Sequence, residues 1–327
     1  MRQVDTVVVG AGIIGCAIAR ELSVRGEACT VIDPRPVGGG ATQASAGMLA
    51  PHVEAHEAGP LLDLGVRSLA LYDDWIAMVR GESGLDVEYR RIGTFETATS
   101  RAIAEHGYVA AEPLALALAR AAERSGARFR RERVERVARE GRGLRVTTAT
   151  DTMDASHVVL AAGAWMNDIA GVRTPPLRPV RGQLLYLGWN GEAPRTIVWG
   201  PRCYVVPRAD GTVLVGATVE EAGFDERATA DGVRELLDAA CELLPAARGA
   251  TFLGVRVGLR PATPDELPVI GSDPDVPGLI HASGHYRNGV LLAPITAKLV
   301  ADLVVEGRED AALKNFRVSR FFEMKKG

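Results

Sequence analysis

Lysine is scarce in this sequence: Lys298, Lys314, Lys325 and Lys326 are the only ones among 327 residues, and arginine carries the positive charge. The net charge is −3, so there is no basic surplus of the kind that holds nucleic acid or an anionic membrane. Long apolar runs are missing too. The most apolar helical stretch, 290–305, is broken by Pro294, Lys298 and Asp302, which excludes a membrane span. Cysteine is limited to Cys16, Cys29, Cys203 and Cys241, with no CxxC pair. Free cysteines in a core behave as small apolar residues, and together with an N-terminus that enters a strand directly they lead to an expectation of a cytoplasmic protein. Metal ligands are likewise thin. His52 and His56 stand at i and i+4, but no third strong ligand follows at a fixed offset, so no metal is expected.

What remains is ordinary globular material, 47% hydrophobic and 24% charged. Its organising stretch is 4–33. The run Val4-Asp5-Thr6-Val7-Val8-Val9 reads as a buried parallel strand, followed by Gly10-Ala11-Gly12-Ile13-Ile14-Gly15, a helix to Arg25, and a second strand ending at Asp33. Gly10 allows the tight turn, Gly12 opens the backbone to a pyrophosphate, and Gly15 lets the helix press on the strand. The helix start offers N–H groups to a diphosphate, and Asp33 stands where a carboxylate accepts from a ribose. This pattern predicts a dinucleotide site and leaves NAD and FAD both open.

The Gly-, Ala- and Ser-rich segment 34–51 then reads as a cofactor-lining loop. Spacing predicts helices at 61–80, 113–125 and 229–244, and strands at 87–97, 178–186, 196–199, 204–207, 213–216 and 252–260. Short strands at 127–131, 134–138 and 144–150 suggest an inserted β-meander. The buried strand 157–165 ends in a small-residue turn at Gly163, and 278–284 leads through His285-Tyr286-Arg287-Asn288-Gly289 into the helix 290–305. A second glycine-bearing turn thus feeds a second helix start, and its N–H groups suit the pyrimidine ring of a flavin.

At this point the chain resembles the D-amino-acid oxidase family of flavoproteins. Within that family it is similar to the glycine oxidase branch that serves thiazole formation in thiamine biosynthesis. The resemblance is carried by residues 10–15, 46–49, 203–208, 215–218, 258–261 and 284–294. It implies an α/β fold: a Rossmann-like FAD-binding domain (parallel sheet with a β-meander) plus a substrate domain built on an antiparallel sheet with helices. The implied boundaries are 1–85, 107–175 and 258–327 for the FAD-binding domain, and 86–106 and 176–257 for the substrate domain. The resemblance implies FAD contacts from Gly10, Gly12, Ile13, Ile14, Gly15, Asp33, Pro34, Ala41, Thr42, Ala46, Gly47, Met48, Val134 and Gly163. His285, Tyr286, Arg287, Asn288, Gly289, Val290 and Leu291 would line the flavin and the substrate. Arg260 would clamp the substrate carboxylate, Tyr204 would hydrogen-bond to it, and Arg287 would be a further active-site residue. Met48, Arg202 and Val219 would wall the pocket. The stretch 99–107 is shorter than in relatives, and no cysteine stands just before Thr263-Pro264-Asp265, so the FAD is expected to be non-covalent.

The implied chemistry is hydride transfer from glycine or a small D-amino or N-methyl amino acid to flavin. The products would be an imine or 2-oxo acid, ammonia and, with O2 as acceptor, hydrogen peroxide. The flavin supplies the acceptor, and the protein supplies orientation and electrostatics. Implied partners are the small amino acid and O2 or another acceptor, without nucleic acid, and a homo-oligomer is compatible with this reading. Other readings stay open: a D-amino-acid dehydrogenase passing electrons to a quinone, or a flavin-binding subunit without turnover. Read from the residues alone, Arg260 is first a strand-end arginine paired with Asp265 or Glu266, while Tyr204 could be a half-buried sheet tyrosine and Met48 core filler.

Overall fold

The computed structural model describes residues 2–55, 57–141 and 143–322, so His56 lies outside the described residues. The apolar N-terminal run forms the strand Arg2–Val9, which pairs in parallel with Cys29–Ile32 on one side and Thr152–Leu160 on the other. Leu279–Ser283 extends the parallel sheet beyond Thr152–Leu160, and antiparallel Val269–Ser272 closes that edge. The run has no polar alternation because both faces are covered. Val8, Val31, Val159 and Ile280 face a layer of helices. Val7, Val9, Ile32 and Leu160 face a different cluster built on Val137, Val146 and Met166. Each such valine, fully removed from water, contributes about 1.5–3 kcal/mol.

The meander differs from the sequence expectation. Arg128–Arg130 does not join it but pairs in parallel with Cys29–Ile32 as the far edge of the main sheet. Val134–Glu140 and Gly143–Thr148 form a hairpin whose second arm pairs with Thr152–Leu160, so the meander occupies 134–160. The strand 128–130 is too short and polar to announce a partner a hundred residues away.

A second, seven-stranded sheet runs in the order Thr251–Ala262, Arg178–Gly188, Thr212–Gly216, Tyr204–Pro207, Ile197–Trp199, Thr94–Glu96, Arg101–Ile103. It is antiparallel except where Ile197–Trp199 meets Thr94–Glu96. The helix Ala230–Leu243 packs on one face, capped by Thr229, whose hydroxyl accepts from the Gly232 N–H. The short stretch noted at 99–107 is closed by a tight turn between Thr94–Glu96 and Arg101–Ile103. Met48–Leu49, Gly107–Val109 and Tyr89–Arg91 make a small third sheet.

Four helices, Ile13–Val24, Pro60–Ser83, Ala111–Arg124 and Gly289–Glu306, share the largest core. The last carries an internal proline, Pro294, which has no N–H for the Val290 carbonyl one turn back. The buried Tyr72 hydroxyl donates to that carbonyl instead, and Ser68 Oγ donates to the Leu291 carbonyl at 2.6 Å. The start of this helix is therefore fixed from the side by Pro60–Ser83. No described helix is long and apolar enough to cross a membrane.

Candidate active site and cofactor cleft

The helices Ile13–Val24 and Gly289–Glu306 begin on the same elongated cleft. A Cβ placed on Gly289 would lie 3.9 Å from Ile13 Cγ2, so the two starts are neighbours. Neither helix has a capping side chain or an acidic residue in its first turn. Their first-turn N–H groups, which have no intrahelical acceptor, and their dipole ends therefore favour anionic or electron-rich groups in the cleft. The Ile13 N–H donates to Thr42 Oγ1 at 3.1 Å, which ties the loop 34–51 to the first helix start. Gly10 takes φ +110°, as the turn into that helix demands, and a Cβ on Gly15 would collide with the Gly10 carbonyl oxygen.

At one end of the cleft Asp33 accepts from the Ala11 N–H and the Arg35 N–H, each at 2.7 Å. Each carboxylate oxygen keeps a further lone pair for hydroxyl groups. Arg35 lies over the Trp165 ring at 3.9 Å and pairs with Glu226 at 2.8 Å, and Val134 completes the wall there.

At the other end stands Arg260, whose residual exposure is to the cleft. Nη1 donates to the Thr218 carbonyl at 3.0 Å and to the Arg181 carbonyl at 3.4 Å; Glu54 bears on it through space, and none of the ion pairs found among the described residues includes Arg260. Asp265, the sequence-local candidate, pairs with Arg320 at 2.8 Å. Burial pulls the Arg260 guanidinium below its ordinary range. Burial also raises the Tyr204 phenol, which stays protonated and able to donate. Tyr204 stacks on Trp199, with ring centres 5.7 Å apart. Arg287 Nε lies 2.9 Å from Glu54 Oε2, and its guanidinium sits 5.6 Å from the Trp199 ring centre. Burial opposes the Arg287 charge, but Glu54 and the two tyrosines outweigh it and hold the group above its usual value. His285 is buried, exchanges a hydrogen bond with Thr296 Oγ1 at 3.1 Å, and is pushed down to about 3 by burial.

Most of the expected positions come together here. Gly10, Gly12, Ile13, Ile14, Asp33, Pro34, Ala41, Thr42, Ala46, Gly47, Met48, Val134, Gly163, Tyr204, Arg260, His285, Tyr286, Arg287, Gly289 and Val290 all line the cleft. Five do not. Gly15 lies beneath the turn, pressed on Gly10. Leu291 points into the helical core. Asn288 and Val219 line an adjoining depression, where Val219 is 55% exposed. Arg202 faces outward, ion-paired with Glu242 at 2.6 Å, and does not line the cleft. Among the described residues no group of three or more His, Cys, Asp or Glu side chains is placed to hold a metal. Sequence reasoning missed Glu54, Arg35, Trp165 and Arg133, all of which line the cleft. Only the last residue of the 203–208 motif hinted at another feature: Arg208 Nη2 donates to the Ala46 carbonyl at 2.9 Å, holding the loop beside Met48.

The uncapped helix starts, the glycine turn and the Asp33 carboxylate fit a flavin dinucleotide. Comparison with known proteins agrees. The model of the DAO family, described as FAD dependent oxidoreductase, matches residues 5–112 and 102–303. The chain is 36% identical to the bifunctional protein ThiO/ThiG of Nostoc sp., over 97% of this chain and 55% of that one. It therefore spans about half the length of such bifunctional relatives. It is 32% identical to the glycine oxidase of Geobacillus kaustophilus over 97% of both chains. The crystal structure of glycine oxidase from Geobacillus kaustophilus superposes with a TM-score of 0.92 at 31% identity, covering all of both chains. The chain belongs to the DAO family of FAD-dependent oxidoreductases.

Proposed function

We propose that the cleft oxidises the amine of glycine and of small D-amino or N-methyl amino acids. The observation that carries this reading is Arg260, a guanidinium deep in protein with no carboxylate in ion-pair contact among the described residues. A buried charge is costly unless a partner arrives, and a substrate carboxylate matches the planar fork bidentately. Tyr204 adds a donated hydrogen bond from Oη, worth about 1 kcal/mol. Glu54 is occupied by Arg287 and His285 by Thr296, so neither offers a free base, and the substrate amine must arrive neutral. Holding the substrate Cα at a fixed place removes its motional entropy before reaction.

When bound, FAD supplies the acceptor for the hydride leaving the Cα. Gly10, Gly12, Ile13, Ile14 and Thr42 would hold its diphosphate, and Asp33 and Val134 its adenosine. Ala46 to Met48 and His285, Tyr286, Arg287, Gly289 and Val290 would hold its ring system, without a covalent link. The product is an imine that hydrolyses to a 2-oxo acid and ammonia, with hydrogen peroxide when O2 takes the electrons. The similarity to ThiO/ThiG and glycine oxidases supports glycine as substrate and a place in thiamine biosynthesis. In this reading residues 1–85, 107–175 and 258–327 bind FAD and the remainder shapes the substrate site. The four free cysteines suit work in the reducing cytoplasm.

The test is a screen of FAD-loaded protein with glycine, sarcosine, D-alanine, D-proline and a 2-hydroxy acid, without oxygen. Loss of the yellow absorbance with the amino acids is expected. Loss only with the hydroxy acid contradicts the reading. Peroxide release on readmitting air separates an oxidase from a dehydrogenase.

A further inference from the structure

The substrate end of the cleft presents two guanidinium groups, Arg260 and Arg287, and one carboxylate, Glu54. Glu54 is ion-paired with Arg287: Oε2 lies 2.9 Å from Nε, with the glutamate side chain 8% exposed. Of the two guanidinium groups, Arg260 is the one with no ion-paired carboxylate among the described residues. His285 is neutral, and Tyr204 and Tyr286 are protonated phenols with raised pKa values. A substrate reacting with a neutral amine and one carboxylate cancels the Arg260 charge. A substrate with two carboxylates leaves one unmatched.

We propose that Glu54 is a specificity-determining residue: by occupying Arg287 it restricts the site to monocarboxylic amino acids. The inference rests on the reading of Arg260 as the carboxylate clamp and goes on to assign the side-chain class. Arg287 has the chemistry to accept a second carboxylate, because a guanidinium carries five N–H donors in a planar fork and the contact to Glu54 is made through Nε. Its guanidinium also lies beside Trp199, the ring that backs Tyr204, so a freed Arg287 stands at the wall of the same site. Specificity of this kind is a difference of affinities, obtained here by withholding a charge from the wrong ligand. A glutamine at this position keeps the volume and a hydrogen-bonding oxygen while removing the charge, so it isolates the electrostatic effect.

The experiment compares kcat/KM for iminodiacetate and D-aspartate with kcat/KM for glycine in the FAD-loaded wild type, Glu54→Gln and the double variant Glu54→Gln/Arg287→Gln. Glu54→Gln raises the ratio of dicarboxylate to glycine by about 10-fold or more, whatever it does to either rate alone. The double variant returns the ratio toward the wild type, because the freed cation is gone. An unmoved ratio in Glu54→Gln, or a ratio that stays raised in the double variant, overturns the proposal. Should the variants not load FAD, the wild type decides by binding alone, followed through the visible spectrum. Malonate binding no tighter than acetate supports the assignment, and malonate binding about 10-fold tighter or more overturns it. If neither glycine turnover nor any acetate response is found in the wild type, the amino-acid reading itself has failed and takes this inference with it.

Discussion

The Arg260 guanidinium lies directly against the Cα of Gly182 across paired strands, where any Cβ would run into it. Gly182 stands beside Val180 and Leu184 in a strand otherwise rich in side chains, so its bareness makes room for the guanidinium. Gly182→Ala is expected to displace Arg260 while leaving the FAD-binding end intact. A misplacement of about 1 Å costs on the order of 100-fold in catalytic efficiency. Steady-state kinetics alongside FAD affinity checks this: kcat/KM falls and the dissociation constant for FAD does not move.

Removing the guanidinium acts on the same end of the cleft. Arg260→Ala is expected to lower kcat/KM for amino acids by about 30- to several-thousand-fold, mostly through KM. Arg260→Lys recovers only part of that, because an ammonium is a point charge and not a fork. Rescue of the alanine variant by added guanidinium ion is a further expected outcome, read as a rise in rate.

Tyr72 bears on stability. Its hydroxyl replaces the donor that Pro294 cannot offer to the Val290 carbonyl. Tyr72→Phe leaves that buried carbonyl without its donor and is expected to cost about 1–3 kcal/mol. Denaturant unfolding of the FAD-loaded protein measures it, and the double variant Tyr72→Phe/Pro294→Ala recovers part of the loss by restoring the helical N–H.

His285 makes stability depend on pH in a stated direction. Its folded value is about 3 against an ordinary 6.5, so between these values the unfolded chain binds a proton that the folded chain does not. Stability is complete above pH 6.5 and is lost as the pH falls toward 3, by roughly 2 kcal/mol at pH 5. His106, pushed by burial to about 4, acts in the same sense. A melting series over this range is expected to be shallower for His285→Asn, by about one proton's worth of slope.

Much of the cofactor end was legible in the sequence. Gly10, Ile13 and Asp33 sit at fixed offsets within one strand–turn–helix–strand unit, where local geometry alone dictates their places. Arg260 and Tyr204 were legible only through family resemblance, since nothing local separates Arg260 from an arginine paired with Asp265. Glu54 and Trp165 were invisible because their roles depend on partners, Arg287 and Arg35, that lie far off in the chain. The strand Arg128–Arg130 was misassigned for a similar reason, its pairing with Cys29–Ile32 being non-local. Arg202, two residues before Tyr204, belongs to the turn before the strand, so strand alternation does not apply to it and it faces solvent.

The account's central claim is that two helix starts hold FAD opposite an unpaired guanidinium. An anaerobic glycine titration of the FAD-loaded protein, run in parallel on Arg260→Ala and followed by visible absorbance, tests it most directly. The account predicts saturable bleaching in the wild type, and in the variant a yellow protein that needs far more glycine. A protein that takes up no FAD, or one that bleaches at the same glycine concentration with and without Arg260, contradicts it.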